Sequence, residues 1–324
     1  MTCLCCGKQI GEKEAHTGGW HVRCVRRFFG IDELPELDLS DISLRRIVDE
    51  SVDKRLLVPG VQKKMSLHLS KEQVYRLTVV DYPTGYILKP QSEEYRHLPE
   101  YEYLTMQMAR AVGIQTVPFA LIRTVDGVAY ITKRVDRIIK ADGIKKYAME
   151  DFCQLTNRMT IDKYKGSYEQ CGKVIAKYSD RPGIDLADFF LRVVFSFITG
   201  NSDMHLKNYS LIETEPGNRK FVLAPAYDLL PVNLVLPADE EETALMLNGR
   251  KKNIHKKDFR ALGENLGLNE KAITGIIESV CKKTEKLLGM CDDSPLDHEE
   301  KDAFKELILQ RVSDLTKTHN SAII

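Results

Sequence analysis

The chain has 324 residues and a mass of 36.9 kDa, enough to bury a substantial core in one large or two smaller domains. Its 47 basic and 47 acidic residues cancel, so the overall charge gives no indication of a nucleic-acid or membrane partner. No apolar run reaches the roughly 18 residues of a membrane span, and the first residues contain no apolar signal-peptide region. We therefore predict a cytoplasmic protein that binds neither membrane nor, directly, nucleic acid.

Cysteines crowd into the first 24 residues. Cys3 and Cys6 form a C-x-x-C pair, and "WHVRC" adds an H-x-x-C pair. Two such pairs on short turns can close a tetrahedron around Zn²⁺, so a structural zinc site is one interpretation and an unmetallated, reduced hairpin is the other. The candidate ligands are Cys3, Cys6, His21 and Cys24, with Cys5 and His16 as further choices.

The next part of the chain alternates short β-type segments with two helical ones. "DLSDISLRRIVDES" and "PEYEYLTMQMARAVGI" have capping residues and helical spacing, and the second is expected to end at Gly113. Strands are predicted in "MSLHLS", "VYRLTVV", "GYILKP" and "PFALIRTVDGVAYITKRV", where Asp-Gly indicates a hairpin.

From about residue 147 the pattern becomes helical. Helices are predicted in "YAMEDFCQLTNRM", "YEQCGKVIAKYS", "LADFFLRVVFSFI", "KKDFRALGENLG", "NEKAITGIIESVCKKTEKLLG" and "EEKDAFKELILQRVSDLTK". A hairpin, "YSLIETEPGNRKFVLAP", interrupts them. A β-rich part followed by a helical part predicts an α+β protein with two lobes.

Polar residues concentrate in "GNSDMHLKNYS", directly after a strongly apolar helix. Asp203 could accept the proton of an attacking hydroxyl, and Asn208 with Asp228, which follows the hairpin, could hold Mg²⁺ through oxygen atoms. Protein kinases have this order of a loop Asp, an Asn five residues later, and a metal-binding Asp. His205 and Lys207 are placed to contact phosphate, and Lys207 could neutralise charge on the transferred group.

Upstream residues can be fitted to the same chemistry. Gly60 lies in a turn that leads into a strand, although one glycine is fewer than a glycine-rich loop has. Lys89 ends an apolar strand, where it could reach the α- and β-phosphates of ATP, and Glu102 or Glu100 could pair with it. Residues 133 to 135 close the β-rich part and would form the hinge against adenine.

In combination these segments resemble the HipA family of bacterial toxin-type serine/threonine protein kinases. The resemblance runs from about residue 55 to 320 through "GVQKKMSL", "YILKPQSEEYRHLPEYEYLTMQMARAVGI", "YITKRVDR", "MEDFCQL", "KYKGSYE", "FSFITGNSDMHLKNYSL" and "APAYDLLPV". It implies a two-lobed protein-kinase-like fold, with a Cys-rich segment at 1–30, an N-lobe with the hinge at 31–137 and a helical C-lobe at 138–324.

The resemblance also implies ATP and Mg²⁺ as cofactors and a protein Ser or Thr as acceptor, in some members on an aminoacyl-tRNA synthetase. Asp203 corresponds to the catalytic base, Asn208 and Asp228 to the metal ligands, and Lys89 to the phosphate-pairing Lys. The implied nucleotide-contacting positions are Pro59, Gly60, Val61, Gln62, Lys63, Lys64, Lys133, Arg134, Val135, His205, Lys207, Asn208 and Tyr227. A DNA-binding antitoxin is the implied partner.

Three departures from the family pattern stand out. Instead of an N-terminal subdomain before the glycine loop there is only the Cys-rich piece, as in a shorter branch whose subdomain can be a separate small protein. Residues 57 to 59 lack the regulatory Ser that precedes the loop glycine, so Ser51, Ser66 or Ser70 would have to replace it. Tyr101 stands where the helix motif usually has Asn before Glu102.

Two other functions remain open from the sequence. A kinase of the same fold could phosphorylate a small molecule such as an aminoglycoside or an inositide. An inactive kinase-like binding or regulatory module is the other, although a lapsed active site commonly loses one of Lys89, Asp203, Asn208 or Asp228, and all four are present.

Overall fold

The computed structural model describes residues 1–12, 18–38, 64–71, 74–79, 84–125, 127–140 and 143–316. The helix predicted over "DLSDISLRRIVDES" lies outside these ranges apart from its first residue. The chain divides into two compact units, one of residues 1–103 with 117–146 and one of residues 104–116 with 147–324. Among the described residues, no helix is both long enough and apolar enough to span a membrane.

The first unit is built on a six-stranded sheet with the order β1-β3-β2-β4-β6-β5. All neighbours are antiparallel except β1 and β3. A two-stranded ribbon, β7-β8, follows the sheet. The strands are β1 (Glu36–Asp38), β2 (Met65–Lys71), β3 (Tyr75–Val79), β4 (Tyr86–Lys89), β5 (Phe119–Thr124), β6 (Gly127–Lys133), β7 (Arg137–Lys140) and β8 (Gly143–Lys146).

The hairpin predicted at "VDGVA" is confirmed, because β5 and β6 pair from Phe119↔Thr132 to Thr124↔Gly127. The helix predicted after β4 is also confirmed as α2 (Leu98–Val112), and Gly113 ends it with a φ of 103°, a backbone conformation that favours glycine. Strands β1, β7 and β8 were not predicted.

The Cys-rich segment packs on this sheet. Its helix, α1 (Val22–Phe29), ends at Gly30 with a left-handed φ of 78°. Trp20, Phe28 and Phe29 are buried with apolar residues of β2, β4 and β6 in one cluster. The first residues of the chain are therefore part of the core of the first unit rather than a separate tail.

The second unit is mostly helical and contains a three-stranded sheet with the order β11-β10-β9. Its strands are β9 (Met149–Asp151), β10 (Ser210–Glu213) and β11 (Phe221–Leu223). Its helices are α3 (Phe152–Leu155), α4 (Tyr168–Tyr178), α5 (Pro182–Ile198), α6 (Val232–Val235), α7 (Lys256–Asn265), α8 (Glu270–Cys281), α9 (Thr284–Asp292) and α10 (His298–Thr316). Helix α5 is deeply buried, with Phe189, Phe190, Phe195 and Phe197 at 0% exposure.

Two helix predictions in this unit are wrong in detail. "YAMEDFCQLTNRM" forms strand β9 and the single turn α3, because its first part pairs with β10 through Ser210↔Asp151 and Ile212↔Met149. "NEKAITGIIESVCKKTEKLLG" divides at Lys282 and Lys283 into α8 and α9. The hairpin around "EPGN" is confirmed as β10-β11, and the predicted α+β class is correct.

Candidate active site

The polar loop "GNSDMHLKNYS" begins at Gly200, directly after the C-terminus of α5. Gly200 has a φ of 67°, and a Cβ there would lie 2.5 Å from the side chain of Leu307. The amide of Asn201 donates to the carbonyl oxygen of Ser196 at 2.8 Å, which closes the helix C-terminus. The buried end of α5 and its capping contacts thus fix the position of the residues that follow, from Asn201 onward.

Asp203 is held by its backbone while its carboxylate reaches solvent. The side-chain amide of Asn208 donates to the backbone oxygen of Asp203 at 2.8 Å, and the Asp203 amide donates to Oδ1 of Asn201 at 3.3 Å. The carboxylate is 42% exposed and accepts a hydrogen bond from the hydroxyl of Tyr164 at 2.5 Å. A carboxylate that is fixed and still accessible can accept a proton from an incoming hydroxyl.

His205 is buried next to this carboxylate, whereas the carboxylate itself is accessible to solvent. Its side chain is 7% exposed, and Nε2 lies 4.0 Å from Oδ1 of Asp203. Its ring makes an edge-on contact with that of Tyr164 at a centroid distance of 5.1 Å. Burial is the main cause that lowers the pKa of His205, and the charges of Asp203 and Asp228 oppose it.

This burial predicts a pH-dependent stability. The folded protein protonates His205 less readily than the unfolded chain does, so the free energy of unfolding should fall as the pH drops below about 6.5. One such group changes the free energy by no more than about 1.4 kcal/mol per pH unit. Urea unfolding at pH 7.5 and 5.5 should show a smaller pH effect in His205→Gln than in the wild type, and equal effects would contradict this.

Lys207 is positioned by a residue that the sequence did not single out. Its Nζ lies 2.7 Å from Oδ2 of Asp151, at the end of β9. The other oxygen of Asp151 accepts from the amide of Gln154, and the Gln154 side chain accepts from the amide of Asp151, each at 2.9 Å. This capping box fixes Asp151, so Lys207 is held at 35% exposure in a defined direction.

Tyr227 and Asp228 follow β11. The Tyr227 hydroxyl contacts that of Ser210 at 2.5 Å and donates to the backbone oxygen of Lys207 at 3.0 Å. Asp228 has a φ of 60°, a strained conformation for a residue other than glycine that clusters at functional sites. The predicted contact of Tyr227 with nucleotide would have to involve its ring, because its hydroxyl stabilises the loop.

Asp203 and Asp228 act on the same neighbour. Burial is the main cause that raises the pKa of Tyr164. The charge of Asp203 and its hydrogen bond come next, followed by the charges of Asp239 and Asp228. The amide nitrogen of Asn208 is committed to Asp203, so its oxygen is the atom left for a metal. Carboxylate and amide oxygens fit Mg²⁺, which prefers hard oxygen ligands.

The candidate phosphate-pairing lysine lies in the first unit. Nζ of Lys89 is 2.6 Å from Oε1 of Glu102, and the two side chains are only 4% and 2% exposed. Lys89 also lies over the ring of Tyr130 at 5.4 Å. Of the two acidic residues that the sequence offered, Glu102 therefore makes the salt bridge.

The predicted hinge residues follow β6 in the same unit. The Lys133 ammonium donates to the backbone oxygen of Phe28 at 3.3 Å, and burial lowers the pKa of Lys133. Arg134 makes a two-point salt bridge with Asp136, at 2.9 and 2.8 Å. Val135 is half-buried beside them.

The remaining predicted positions are those of the nucleotide-contacting segment 59–64, the candidate serines and His16, and the structure describes only some of them. Pro59, Gly60, Val61, Gln62 and Lys63 lie outside the described residues, as do Ser51 and His16. Lys64 is exposed immediately before β2. On β2, Ser66 is exposed, and Ser70 is half-buried with its hydroxyl 3.4 Å from the backbone oxygen of Arg76.

The predicted cysteine and histidine ligands come together in the first unit. The ligand atoms of Cys3, Cys6, His21 and Cys24 all lie within 4.8 Å of one another. This group of four excludes Cys5, the alternative next to Cys6.

Two residues of the site were not predicted from the sequence: Asp151, the direct partner of Lys207, and Tyr164, the direct partner of Asp203. The D-x-x-Q capping box at Asp151 is a local pattern that could have identified a structured turn there. For Tyr164, no pattern near it in the chain indicates a contact with Asp203, which is 39 residues away.

Comparison with known proteins identifies the family. Residues 56–288 match the model of the HipA-like C-terminal domain. A Sinorhizobium fredii protein, "Putative kinase Y4dM", is 33% identical over 234 residues, which cover 68% of this chain and 56% of that protein. A Haemophilus influenzae protein, "Putative kinase", is 31% identical over 315 residues, which cover 86% of this chain and 87% of that protein.

A more distant relative is similar in both sequence and structure. "Serine/threonine-protein kinase toxin HipA" of Shewanella oneidensis is 22% identical over 280 residues, or 77% of this chain and 63% of that protein. A solved complex of HipA from that organism with HipB and operator DNA matches with a TM-score of 0.67 at 20% identity, over 82% of this chain and 69% of that one. The predicted HipA-type, kinase-like α+β fold is thus confirmed, and the chain belongs to the family with a HipA-like C-terminal domain.

Proposed function

We propose that this protein is an ATP- and Mg²⁺-dependent kinase that phosphorylates Ser or Thr of a protein substrate. The observation that carries the proposal is the loop after α5, where Asp203 is fixed by Asn208 and presents an accessible carboxylate. The names of the relatives support a kinase, and that of the Shewanella oneidensis protein supports a Ser or Thr acceptor.

The candidate site residues of the second unit would then have these roles in phosphoryl transfer. Asp203 would orient the acceptor hydroxyl and accept its proton as the bond from oxygen to the γ-phosphorus forms and the bond to the departing ADP breaks. Lys207, aimed by Asp151, would stabilise the negative charge on the transferred group. Asn208 and Asp228 would hold Mg²⁺, which when bound neutralises phosphate charge.

The remaining predicted positions would bind the nucleotide. Lys89, oriented by Glu102, would pair with the α- and β-phosphates. The segment 59–64 would cover the phosphates, and residues 133–135 and Tyr227 would contact the base or its sugar. His205 is buried, so its role would be to support the loop from below rather than to bind phosphate through a charged ring.

Transfer of labelled γ-phosphate tests the proposal. Purified protein, Mg²⁺ and γ-labelled ATP are incubated with a cell lysate, and the labelled proteins are analysed by mass spectrometry for phosphoserine and phosphothreonine. Label on proteins that disappears with Asp203→Asn is the expected result. Label on small molecules alone would overturn the protein-kinase proposal and favour the small-molecule kinase, and no transfer at all would favour the inactive binding module.

The metal ligands predict a specific defect. Asp228→Asn removes a negative charge from the proposed metal site, so the Mg²⁺ concentration for half-maximal transfer should rise at least about tenfold. Asp293→Asn, an exposed charge removal in the same unit, is the matched control and should leave the Mg²⁺ dependence unchanged. A normal Mg²⁺ dependence of Asp228→Asn would remove Asp228 from the metal site.

We further propose a toxin role restrained by a DNA-binding antitoxin, because the Shewanella oneidensis relative is named a toxin and was solved with HipB and operator DNA. An aminoacyl-tRNA synthetase is the first substrate to examine in the phosphopeptide data. Induced expression of the wild type should arrest growth, and Asp203→Asn should not. Growth unaffected by an active kinase would contradict the toxin role.

A further inference from the structure

The Cys-rich segment contains a cluster of side chains to which the proposed phosphoryl transfer gives no role. Three of its four potential ligands, Cys3, His21 and Cys24, are buried at 1%, 5% and 7% exposure, and Cys6 is half-buried. All eight cysteines of the chain are free thiols. Packing alone does not require this convergence of three thiols and an imidazole, because a single cysteine packs in a core as a small apolar side chain.

The spacing of these atoms fits a tetrahedral metal site. Nδ1 of His21 lies 3.4 Å from Sγ of Cys6 and 3.8 Å from Sγ of Cys24. Zn–S bonds of about 2.3 Å and Zn–N bonds of about 2.0–2.1 Å place tetrahedral ligand atoms about 3.5–3.8 Å apart. The side chains are thus already arranged around a point that one Zn²⁺ could occupy.

The histidine is oriented as a ligand by an independent contact. Nε2 of His21 lies 2.9 Å from the backbone oxygen of Gln9, which can only accept, so Nε2 carries the proton. In the neutral ring Nδ1 is then unprotonated, and it is the atom that faces the sulfurs. A second contact, from the backbone amide of His21 to Sγ of Cys3 at 3.4 Å, would stabilise a thiolate. Metal-binding histidines characteristically donate their other nitrogen to a carbonyl or carboxylate.

We propose that Cys3, Cys6, His21 and Cys24 bind one Zn²⁺ in a closed, structural site, with Cys5 outside it. Four protein ligands leave no open position for substrate or water, so the ion would stabilise structure rather than catalyse a reaction. Three thiolates and one imidazole are soft and borderline ligands that favour zinc over Mg²⁺ or Ca²⁺.

The site would hold two parts of the segment against the sheet of the first unit. Next to Cys3, the backbone oxygen of Leu4 accepts from the amide of Leu121 on β5 at 2.8 Å. Trp20, next to His21, donates from its indole to the backbone oxygen of Leu121 at 3.1 Å. On α1, which carries Cys24, Phe28 and Phe29 pack on Tyr86 of β4 with centroid distances of 5.9 and 5.2 Å. Bound zinc would therefore stabilise the packing of the Cys-rich segment against β4 and β5.

Metal content and stability test this site without reference to kinase activity. Wild-type protein of all 324 residues, purified without chelator, should contain about one Zn²⁺ per chain, and Cys5→Ser should contain the same amount. Cys24→Ser and His21→Ala should contain little or none. His21→Cys, which replaces the imidazole by a fourth thiolate, should retain the metal.

Two further measurements on the wild type apply if the ligand variants fail to fold. Protein loaded with Co²⁺ should show the intense visible bands of a tetrahedral thiolate site, and removal of zinc by a strong chelator should lower the melting temperature, with recovery on adding Zn²⁺. Folded wild-type protein without metal, whose melting temperature does not respond to Zn²⁺, would overturn the proposal. Loss of zinc in Cys5→Ser with retention in Cys6→Ser would overturn the ligand assignment.

Discussion

Asp203→Asn should reduce phosphoryl transfer by about 10²- to 10⁴-fold, the usual contribution of a general base. The amide cannot accept the hydroxyl proton, but it keeps the shape of the carboxylate and can still accept the hydrogen bond from Tyr164. Because the side chain is 42% exposed, the free energy of unfolding should change by no more than about 0.5 kcal/mol. Initial rates with saturating ATP and Mg²⁺, together with urea unfolding, measure both effects.

The control for this variant is Asp293→Asn, which removes an exposed negative charge from the same unit. It should transfer phosphate at the wild-type rate. That result would exclude the change in net charge, which both variants share, as the cause of the lower rate of Asp203→Asn. Transfer by Asp203→Asn at the wild-type rate would show that another group accepts the proton or that none is needed.

The buried pair of Lys89 and Glu102 should affect both stability and activity. Glu102→Ala leaves the ammonium of Lys89 buried without the carboxylate that lies 2.6 Å from it, and breaking a buried pair in this way costs about 3–5 kcal/mol. The effect should be a loss of most of the stability of the first unit, measured by thermal and chemical unfolding. Transfer should be lost as well, since Lys89 would no longer be oriented.

The double variant Lys89→Met/Glu102→Met separates the two roles. Replacing both charges by apolar side chains leaves no buried ion behind, so the stability should return close to that of the wild type. Phosphoryl transfer should stay at least about 100-fold reduced, because no ammonium remains for the phosphates. Recovery of activity together with stability would show that the pair serves only the fold.

Much of the candidate active-site loop could be predicted because its residues are neighbours in the chain. Asp203 and Asn208 lie within six residues, after a helix whose apolar character marks it as buried, and Asp228 follows a hairpin that the Pro-Gly turn predicts. Short connections leave little freedom in where such residues can go, so their spacing carries structural information.

The segment "YAMEDFCQLTNRM" shows where this reasoning fails. Its apolar spacing fits a helix, but pairing with β10 makes its first part a strand, and this pairing joins residues about sixty positions apart. Tertiary context outweighs a weak local preference in such a segment. The position of Asp151 beside Lys207 depends on that strand and could not be derived from the local pattern.

Spacing within short segments is enough to indicate the α+β class, the order of the kinase-type residues and the four candidate zinc ligands. Four features emerge only from the folded chain: Glu102 pairs with Lys89, Asp151 pairs with Lys207, Tyr164 contacts Asp203, and Cys5 lies outside the group of four. Each of these is a choice between chemically equivalent side chains, or a contact between distant parts of the chain. Close packing in the folded protein decides which side chains meet, because it fixes where each side chain points. Residue type and spacing do not encode that direction.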